Sequence, residues 1–219
     1  MLIPKREQED EIGDLIDTFN KTAIELINLR KHLEEEIALK TMDLKLRNDE
    51  LSRLSFMDAL TGIANRRRFE DVLKNTWDIA LRNQYPIGLY MLDMDFFKEY
   101  NDHYGHLEGN ECLKSIGRVL RSKAKRSSDL VARYGGEEFV FLIHNPELNT
   151  FFSFADSIRK SIEDLNIEHK GSKYGKITVS IGIAYMVPDI ETTAYDLVDR
   201  ADRALYSAKE NGRNIVVKG

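Results

Sequence analysis

The sequence predicts an α/β domain of the ferredoxin-like kind that follows one long N-terminal helix. An apolar run at 87–92 is typical of a buried strand, and it ends in carboxylates where the strand leaves the core. Two more apolar runs, separated by Gly135 and Gly136, predict a hairpin across 130–143. Residues 7–54 are charged, periodic and almost free of Gly and Pro, which indicates a helix.

The other predicted elements alternate along the chain. Strand, helix, hairpin, helix and strand is the order of a ferredoxin-like α/β sandwich. The predicted helices are Phe69–Leu81, Asn110–Lys123, Thr150–Leu165 and Ala194–Lys209, with a short helical turn at Phe96–His103, and the predicted strands are Ile87–Asp93, Lys176–Tyr185 and Asn214–Val217.

Apolar or small residues recur in the N-terminal helix at alternating steps of three and four, which is the heptad pattern of a coiled coil. Two steps of four around Leu33 form a stutter, and Lys40 and Arg47 weaken the seam. We expect one helix of about 45 residues that pairs as a parallel homodimer through residues 12–54. The alternative is an isolated, solvated helix. The seam comprises Ile12, Leu15, Phe19, Thr22, Leu26, Leu29, Leu33, Ile37, Lys40, Leu44, Arg47, Leu51 and Leu54.

The composition excludes several classes of protein. The 219 residues, of which 42% are hydrophobic, suit one domain with an extension, and the net charge of −5 argues against nucleic-acid binding through a broad basic face. The single Cys112 excludes an internal disulfide framework, and its apolar helical neighbours predict a core position. The sequence has no signal peptide and no apolar run of about 18 residues, so this part of the protein is expected in the cytoplasm.

Three acidic residues are candidates for a metal site. Asp93 ends the first strand, and Glu137 and Glu138 follow the glycine pair, whose residues we expect to adopt positive φ angles in a tight turn. If the strand and the hairpin are neighbours, Asp93 and Glu137 converge, and a hard divalent cation relieves their repulsion. Mg²⁺ takes one or two carboxylates together with substrate phosphates, which indicates nucleotide chemistry.

Four motifs carry a resemblance to a known family. Gly135–Phe139 resembles the signature of the GGDEF family, the diguanylate cyclases, and Asp93–Asp102 resembles the motif on that family's first strand. Asp58–Arg68 and Ala204–Asn214 resemble motifs near the start and the end of the family's domain. The resemblance covers about Ser55 to Gly219 and implies a palm-like catalytic domain at residues 55–219.

This resemblance implies an enzyme that condenses two GTP into cyclic di-GMP and releases two pyrophosphates across a homodimer, with Mg²⁺ or Mn²⁺ as cofactor. Asp93, the Met94 carbonyl and Glu137 are the implied metal ligands, and Glu138 contacts a second metal or removes the proton from the 3′-hydroxyl. Two alternatives remain. One is a module that binds nucleotide or cyclic di-GMP with little or no turnover, and the other is a dimerising relay in which residues 1–54 carry the function.

Two segments are expected to bind the triphosphate. Phe96, Phe97 and Lys98 lie where a strand turns into a helix, so their backbone N–H groups and the Lys98 side chain are expected to bind the β and γ phosphates. Lys209 and Arg213 are four residues apart at a helix end and are expected to bind the triphosphate as well. The alternative for this second pair is a simple helix C-cap.

The base site departs from the family pattern. Asn101 corresponds to the family's guanine reader, with Phe97 and Leu113 as apolar walls, but the partner position, usually Asp, is Asn110 here. Guanine presents two N–H donors on its Watson–Crick edge, and an ionised Asp accepts from both, whereas Asn carries one acceptor and one donor. We therefore expect GTP to remain preferred with weakened discrimination against ATP. Asp95 matches a motif position and is expected to hold the loop.

Arg126 and Asp129 match the family's inhibitory R-x-x-D motif, which implies a site for cyclic di-GMP as an inhibitor. An Arg can reach O6 and N7 of guanine while an Asp accepts from N1 and N2. A plain salt bridge is the alternative for this pair.

The N-terminal region adds a second resemblance. Asp10–Asn20 is similar to the second helix of a HAMP domain, so residues 1–24 are interpreted as a partial HAMP-like helix and 25–54 as a coiled-coil signalling helix. This implies a longer protein, anchored in the inner membrane through a missing N-terminal segment. Asp58 begins the joint to the catalytic domain, with Arg66–Arg68 as its expected structural partners.

Overall fold

The structure is a computed structural model that describes residues 11–54, 56–126 and 128–219, with the side chains of the first helix described at 14–44. Asp10 of the HAMP-like motif and Ser127 of the R-x-x-D motif therefore lie outside the described residues, as do the side chains of the seam positions Ile12, Arg47, Leu51 and Leu54. The chain forms two compact units that divide between Ser55 and Phe56.

The described part of the first unit is one helix, α1 (Glu11–Leu54), of 44 residues. At 1.5 Å per residue it is about 66 Å long, so the predicted long N-terminal helix is confirmed. Ion pairs at i, i+4, such as Arg30–Glu34 and Glu36–Lys40, stabilise its polar surface. Seam residues between 47% and 68% exposed form an apolar stripe that no described residue covers, namely Leu15, Phe19, Leu26, Leu29, Leu33, Ile37 and Leu44.

The second unit is one six-stranded sheet with four helices. Its strand order is β1-β3-β4-β2-β5-β6; the four central strands are antiparallel, and the two edge strands join in parallel. This confirms the predicted ferredoxin-like order. The strands are β1 (Ala64–Asn65), β2 (Ile87–Met94), β3 (Leu130–Gly135), β4 (Glu138–His144), β5 (Val179–Met186) and β6 (Val216–Lys218), and the helices are α2 (Arg66–Asn83), α3 (Phe97–Lys123), α4 (Leu148–Glu163) and α5 (Ala194–Glu210).

Helices cover both faces of the sheet, which explains why β2 is buried along its whole length. Tyr90 and Leu92 pack in the core formed with α3 and α4, while Leu89 and Met91 pack in the core formed with α2 and α5. Gly182 allows the second contact, because a Cβ there would lie 2.1 Å from the Ala201 carbonyl oxygen. The central strand is therefore rigidly held up to the acidic residue near its end.

Three local features differ from the sequence predictions. Helix α2 begins at Arg66 and not at Phe69, because the Asn65 side chain caps it by accepting from the Arg68 N–H at 3.0 Å. The predicted turn and helix at 96–123 form one element, α3, broken only at Gly105, whose φ is 83°. The predicted positive φ at the hairpin glycines is wrong, because within the described residues the glycines with left-handed φ lie elsewhere.

Candidate active site

The hairpin turn lies beside the end of β2, so the condition set for convergence of the acidic residues is met. Asp93 is paired with Glu138 in the antiparallel register, so the two side chains share one face of the sheet. The Met94 N–H donates to the Glu137 carbonyl at 3.4 Å. Only Glu138 follows the turn, as the first residue of β4, whereas Glu137 lies within the turn. Three acidic residues therefore lie at one end of the two central strands.

Burial and charge together disfavour the ionised form of Asp93. Burial raises the pKa of Asp93 to about 6, and the negative charges of Glu137 and Glu138 contribute in the same direction. The Lys209 ammonium, 2.8 Å from the Asp93 carboxylate, opposes this shift. The site therefore holds more negative charge than its one paired lysine neutralises.

The donor set fits a cation that takes few protein ligands. Among the described residues, no group of three or more His, Cys, Asp or Glu side chains is arranged to hold a metal ion. Mg²⁺ usually keeps several waters and takes one or two carboxylates, the remaining oxygens coming from substrate phosphates. Buried Asp93, repelled by two other carboxylates, has the hard oxygen chemistry that such an ion requires.

One cavity of about 560 Å³ brings together six of the residues predicted to bind metal or substrate. Its size is within the usual range for small-molecule sites. The sequence reasoning did not assign the other four lining residues, of which Arg133 is the most informative, since it lies on the strand that leads into the turn. The predicted residues are Phe97, Lys98, Asn101, Asn110, Leu113 and Glu137, and the others are Asp102, His106, Arg133 and Gly136.

The base end of this cavity contains an unsatisfied acceptor. Asn101 Oδ1 is buried and has no hydrogen-bond partner among the described residues. Gly109 leaves room for it, because a Cβ there would lie 2.0 Å from Asn101 Oδ1. Phe97 and Leu113 are buried beside it, and Asn110 is partly buried. Buried polar atoms are normally bonded, so this oxygen is suited to an N–H donor of a ligand.

The two predicted phosphate segments contact each other. Phe96 precedes α3 in the left-handed conformation, with φ 59° and ψ 31°, and Lys98 is exposed in the first turn of that helix. The Arg213 guanidinium stacks 4.6 Å from the centre of the Phe96 ring, whereas Lys209 pairs with Asp93. Lys209 and Arg213 thus have different partners, although both adjoin the start of α3 or the end of β2.

Asp95 has a structural role, as expected. It is 1% exposed and accepts hydrogen bonds from the Thr178 hydroxyl at 2.7 Å and the Ser180 hydroxyl at 2.6 Å. It also accepts from the Asn214 N–H at 3.0 Å. These bonds connect the end of β2 with β5 and with the segment after α5.

Arg133 connects the turn to the start of the domain. Its guanidinium donates to the Gly136 carbonyl at 2.9 and 2.7 Å and to both carboxylate oxygens of Asp58 at 3.3 Å. The expectation that Arg66–Arg68 partner Asp58 is therefore corrected: Arg66 pairs with Glu70, and Asp58 pairs with Arg133. These bonds also explain how the turn closes without a left-handed glycine.

Arg126 and Asp129 lie away from this site and line a second cavity of about 220 Å³. The Arg126 backbone N–H donates to Asp129 Oδ2 at 3.2 Å, while Asp129 Oδ1 is buried without a partner among the described residues. Burial raises the pKa of Asp129. In this part of the structure the two side chains form no ion pair, so the plain salt bridge is not the arrangement observed.

The palm-type α/β fold, with its acidic strand end and adjoining cavity, defines the class of this domain. The family model described as "Diguanylate cyclase, GGDEF domain" matches residues 55–215. The chain belongs to the GGDEF family.

Two curated relatives are named as cyclases. The chain is 33% identical over 218 residues to diguanylate cyclase A of Treponema denticola, covering 98% of this chain and 58% of the relative. It is 39% identical over 171 residues to diguanylate cyclase DgcM of Escherichia coli K12, covering 77% of this chain and 40% of the relative. The chain therefore spans about half the length of these relatives.

Solved structures share the fold. The coiled coil and GGDEF domain of DgcB from Caulobacter crescentus, in complex with c-di-GMP, superposes with a TM-score of 0.70 at 29% identity, covering 87% of this chain and 99% of that one. Diguanylate cyclase SiaD from Pseudomonas aeruginosa, in complex with its activator SiaC, superposes with a TM-score of 0.66 at 29% identity, covering 95% of this chain and 83% of that one.

Among the described helices, none is both long and apolar enough to cross a bilayer.

Proposed function

We propose that this chain is the catalytic part of a diguanylate cyclase, which joins two GTP into cyclic di-GMP and releases two pyrophosphates. The observation that supports this most strongly is the pairing of Asp93 with Glu138 at the end of β2. The neighbouring Glu137 lines the same cavity as Lys98 and Asn101. The names of the relatives support the same activity. Residues 55–219 would form the catalytic domain, which agrees with the division of the chain after Ser55.

In this mechanism each domain holds one GTP and presents its 3′-hydroxyl to the α-phosphorus held by the facing domain. Asn101 and Asn110 bind the base between Phe97 and Leu113. Glu138 is positioned to accept the proton of the 3′-hydroxyl, because it lies on the same sheet face as Asp93. The triphosphate is bound by the start of α3, namely Phe96, Phe97 and Lys98, together with Lys209 and Arg213.

Asp93, the Met94 carbonyl and Glu137 would hold Mg²⁺ or Mn²⁺, with Glu138 available to a second ion. When bound, such ions activate a hydroxyl and neutralise the charge of a leaving pyrophosphate. Lys209, which pairs with Asp93 beside this position, is the cation of this chain that would contribute to binding the phosphates.

One assay separates this proposal from its rivals. The protein is incubated with GTP and Mg²⁺, and the products and the bound nucleotides are then analysed. Cyclic di-GMP with pyrophosphate supports the cyclase, and bound nucleotide without product supports a binding module. If neither product nor bound nucleotide is found, the result supports a relay carried by residues 1–54.

The N-terminal helix is proposed to hold two catalytic domains together through residues 12–54. Its exposed apolar stripe supports pairing with a second copy, because such a stripe on a long helix is stable in water only when covered. Within it, residues 1–24 would belong to a HAMP-like module and 25–54 to a coiled coil. The whole protein would then be membrane-anchored through a preceding segment, with this part in the cytoplasm, and an activator protein is a further candidate partner, by analogy with SiaD.

Removal of residues 1–54 is expected to lower activity per chain about 10- to 100-fold at low protein concentration, because the helix raises the effective concentration of the second domain. The loss should shrink as protein concentration rises. Leu29→Glu, on the seam, should act like the truncation, whereas Leu39→Glu, exposed but off the seam, should not. Equal activity per chain at every dilution, with and without the helix, would contradict this role.

Arg126→Ala is expected to weaken inhibition by cyclic di-GMP about tenfold, because a guanidinium that contacts a guanine edge contributes about 1–3 kcal/mol. The unbonded Asp129 Oδ1 supports a ligand at this position. The measurement is the inhibition constant of added cyclic di-GMP, with Arg118→Ala, an exposed arginine on α3, as the control. Unchanged inhibition in Arg126→Ala would remove the assignment.

A cyclase with relaxed purine specificity is the second candidate function. The observation that favours it is the amide at Asn110, in the cavity where the family usually has a carboxylate.

A further inference from the structure

The loop of residues 166–176 connects α4 to β5 and is held by its own backbone bonds. The Ile177 N–H donates to the Ile167 carbonyl at 2.9 Å, and the His169 N–H donates to the Gly175 carbonyl at 3.0 Å. The Ser172 N–H closes a turn onto the His169 carbonyl at 3.1 Å. This loop is therefore a small hairpin with a defined shape, able to hold other segments in place.

His169 connects this hairpin to the first phosphate segment. The side chain is fully buried, and its Nδ1 accepts from the Gly171 N–H at 3.2 Å. Its Nε2 therefore carries the proton and donates to the Phe96 carbonyl at 2.9 Å. Phe96 is the residue in the left-handed conformation, which non-glycine residues rarely adopt without support from their surroundings.

Tyr174 connects the same hairpin to the second phosphate segment. Its hydroxyl bonds to the carbonyls of Gly212 and Arg213, the latter at 3.1 Å. Gly212 and Arg213 both have left-handed φ angles, of 108° and 66°. The Arg213 guanidinium stacks on the Phe96 ring. The hairpin therefore bonds to both of the residues through which the two phosphate segments contact each other.

We propose that the 166–176 hairpin positions the triphosphate site, with His169 and Tyr174 as positioning residues that touch no substrate. The inference rests on the proposed function, which assigns Lys98 and Arg213 to the phosphates. The hairpin holds the backbone that presents these two cations, because its bonds end on carbonyls of residues with left-handed φ angles, and two of these residues, Phe96 and Arg213, are not glycine. Without these bonds, the segments relax toward ordinary φ values and the cations no longer converge.

The test compares binding of 3′-deoxy-GTP with binding of 3′-deoxy-GMP in the presence of Mg²⁺, by calorimetry. Neither probe can react, because both lack the attacking hydroxyl, and only the first engages the β and γ phosphate groups. Tyr174→Phe and His169→Leu are expected to weaken triphosphate binding about tenfold, because each leaves backbone carbonyls without a donor. Binding of the monophosphate should stay within about twofold, since it lacks the β and γ phosphates that the positioned cations would contact.

Two controls make the result specific. His169→Gln retains an N–H donor at the reach of Nε2 and should keep most of the affinity for the triphosphate. Tyr195→Phe removes a hydroxyl from an exposed tyrosine at the opposite end of α5 and should change neither affinity. If His169→Leu does not fold, Tyr174→Phe alone decides the test, because it deletes one oxygen from a partly buried side chain.

The outcomes separate this inference from the proposed function. Equal losses for both probes, or no loss in either variant, would overturn the positioning role while the wild type still prefers the triphosphate. A wild type that binds the triphosphate no better than the monophosphate would overturn the triphosphate site itself, and the positioning role with it.

Discussion

Asp93→Asn is expected to lower the rate of cyclic di-GMP synthesis at least about a thousandfold, which corresponds to about 4 kcal/mol of barrier. Asp93 is the next-to-last residue of the buried central strand and shares a sheet face with Glu138, so its carboxylate is held at the point where the proposed cation would bind. Asparagine keeps the shape but supplies no negative charge. The measurement is steady-state product formation from GTP at saturating Mg²⁺.

The same substitution is expected to stabilise the protein in the absence of a divalent cation, by about 1–2 kcal/mol. The pKa of Asp93 is raised to about 6 despite its bond to Lys209, because of burial and of Glu137 and Glu138. Keeping Asp93 ionised at neutral pH therefore lowers the stability of the folded state relative to the unfolded chain. A neutral amide removes that cost. Thermal unfolding with a chelator measures the effect, and Asp71→Asn, on the exposed surface of α2, is the matched control.

A substitution that lowers activity but raises stability distinguishes a functional carboxylate from a structural one. A structural residue such as Asp95, which accepts three hydrogen bonds, should lose stability when changed to Asn. An Asp93→Asn variant that retained a tenth or more of the wild-type rate would contradict the catalytic assignment.

Asn110→Asp is expected to raise the preference for GTP over ATP about 10- to 100-fold, because one well-placed pair of hydrogen bonds to a base edge is worth about 1–3 kcal/mol. Asn101 supplies a buried acceptor in both variants. The substitution replaces an amide donor by a second acceptor oxygen, which suits the two N–H donors of guanine and opposes the N1 acceptor of adenine.

The measurement is product analysis after incubation with GTP and ATP together, which reports the ratio of guanine-only to adenine-containing cyclic products. Asn83→Asp, an exposed residue whose amide bonds the Ile79 carbonyl at the end of α2, controls for the change of charge. Identical product ratios in the wild type and Asn110→Asp would remove the idea of relaxed specificity.

Much of the fold follows from local patterns. The central strand was predictable because a continuous apolar run is typical of a strand covered on both faces, and β2 is such a strand. The hairpin was predictable from two apolar runs around a glycine pair. Strand β1, of two residues, and the start of α2 at Arg66 were not, because so short a strand has no periodicity and the cap depends on one side-chain bond from Asn65.

The candidate site was partly predictable for the same reason. Motifs identify the chemical types at 93–98, 135–139 and 209–213, and most of the predicted base and phosphate residues line one cavity or adjoin it. The roles of these residues remain predictions until the variants above are measured. The residues that the patterns missed bond to distant segments: Arg133 to the Asp58 carboxylate, and His169 and Tyr174 to backbone carbonyls. No local pattern reports such a bond.

The sequence by itself determined the α/β class, the long N-terminal helix, the family and the acids at the end of one strand, because hydrophobic periodicity and motif spacing are properties of neighbouring residues. Only the tertiary structure decided which cation faces which carboxylate: Lys209 pairs with Asp93, and Arg133 pairs with Asp58. Those partners are far apart in the chain, and their meeting depends on how the helices and strands pack. The physical reason is that packing fixes distances between segments, whereas periodicity fixes only the faces within each one.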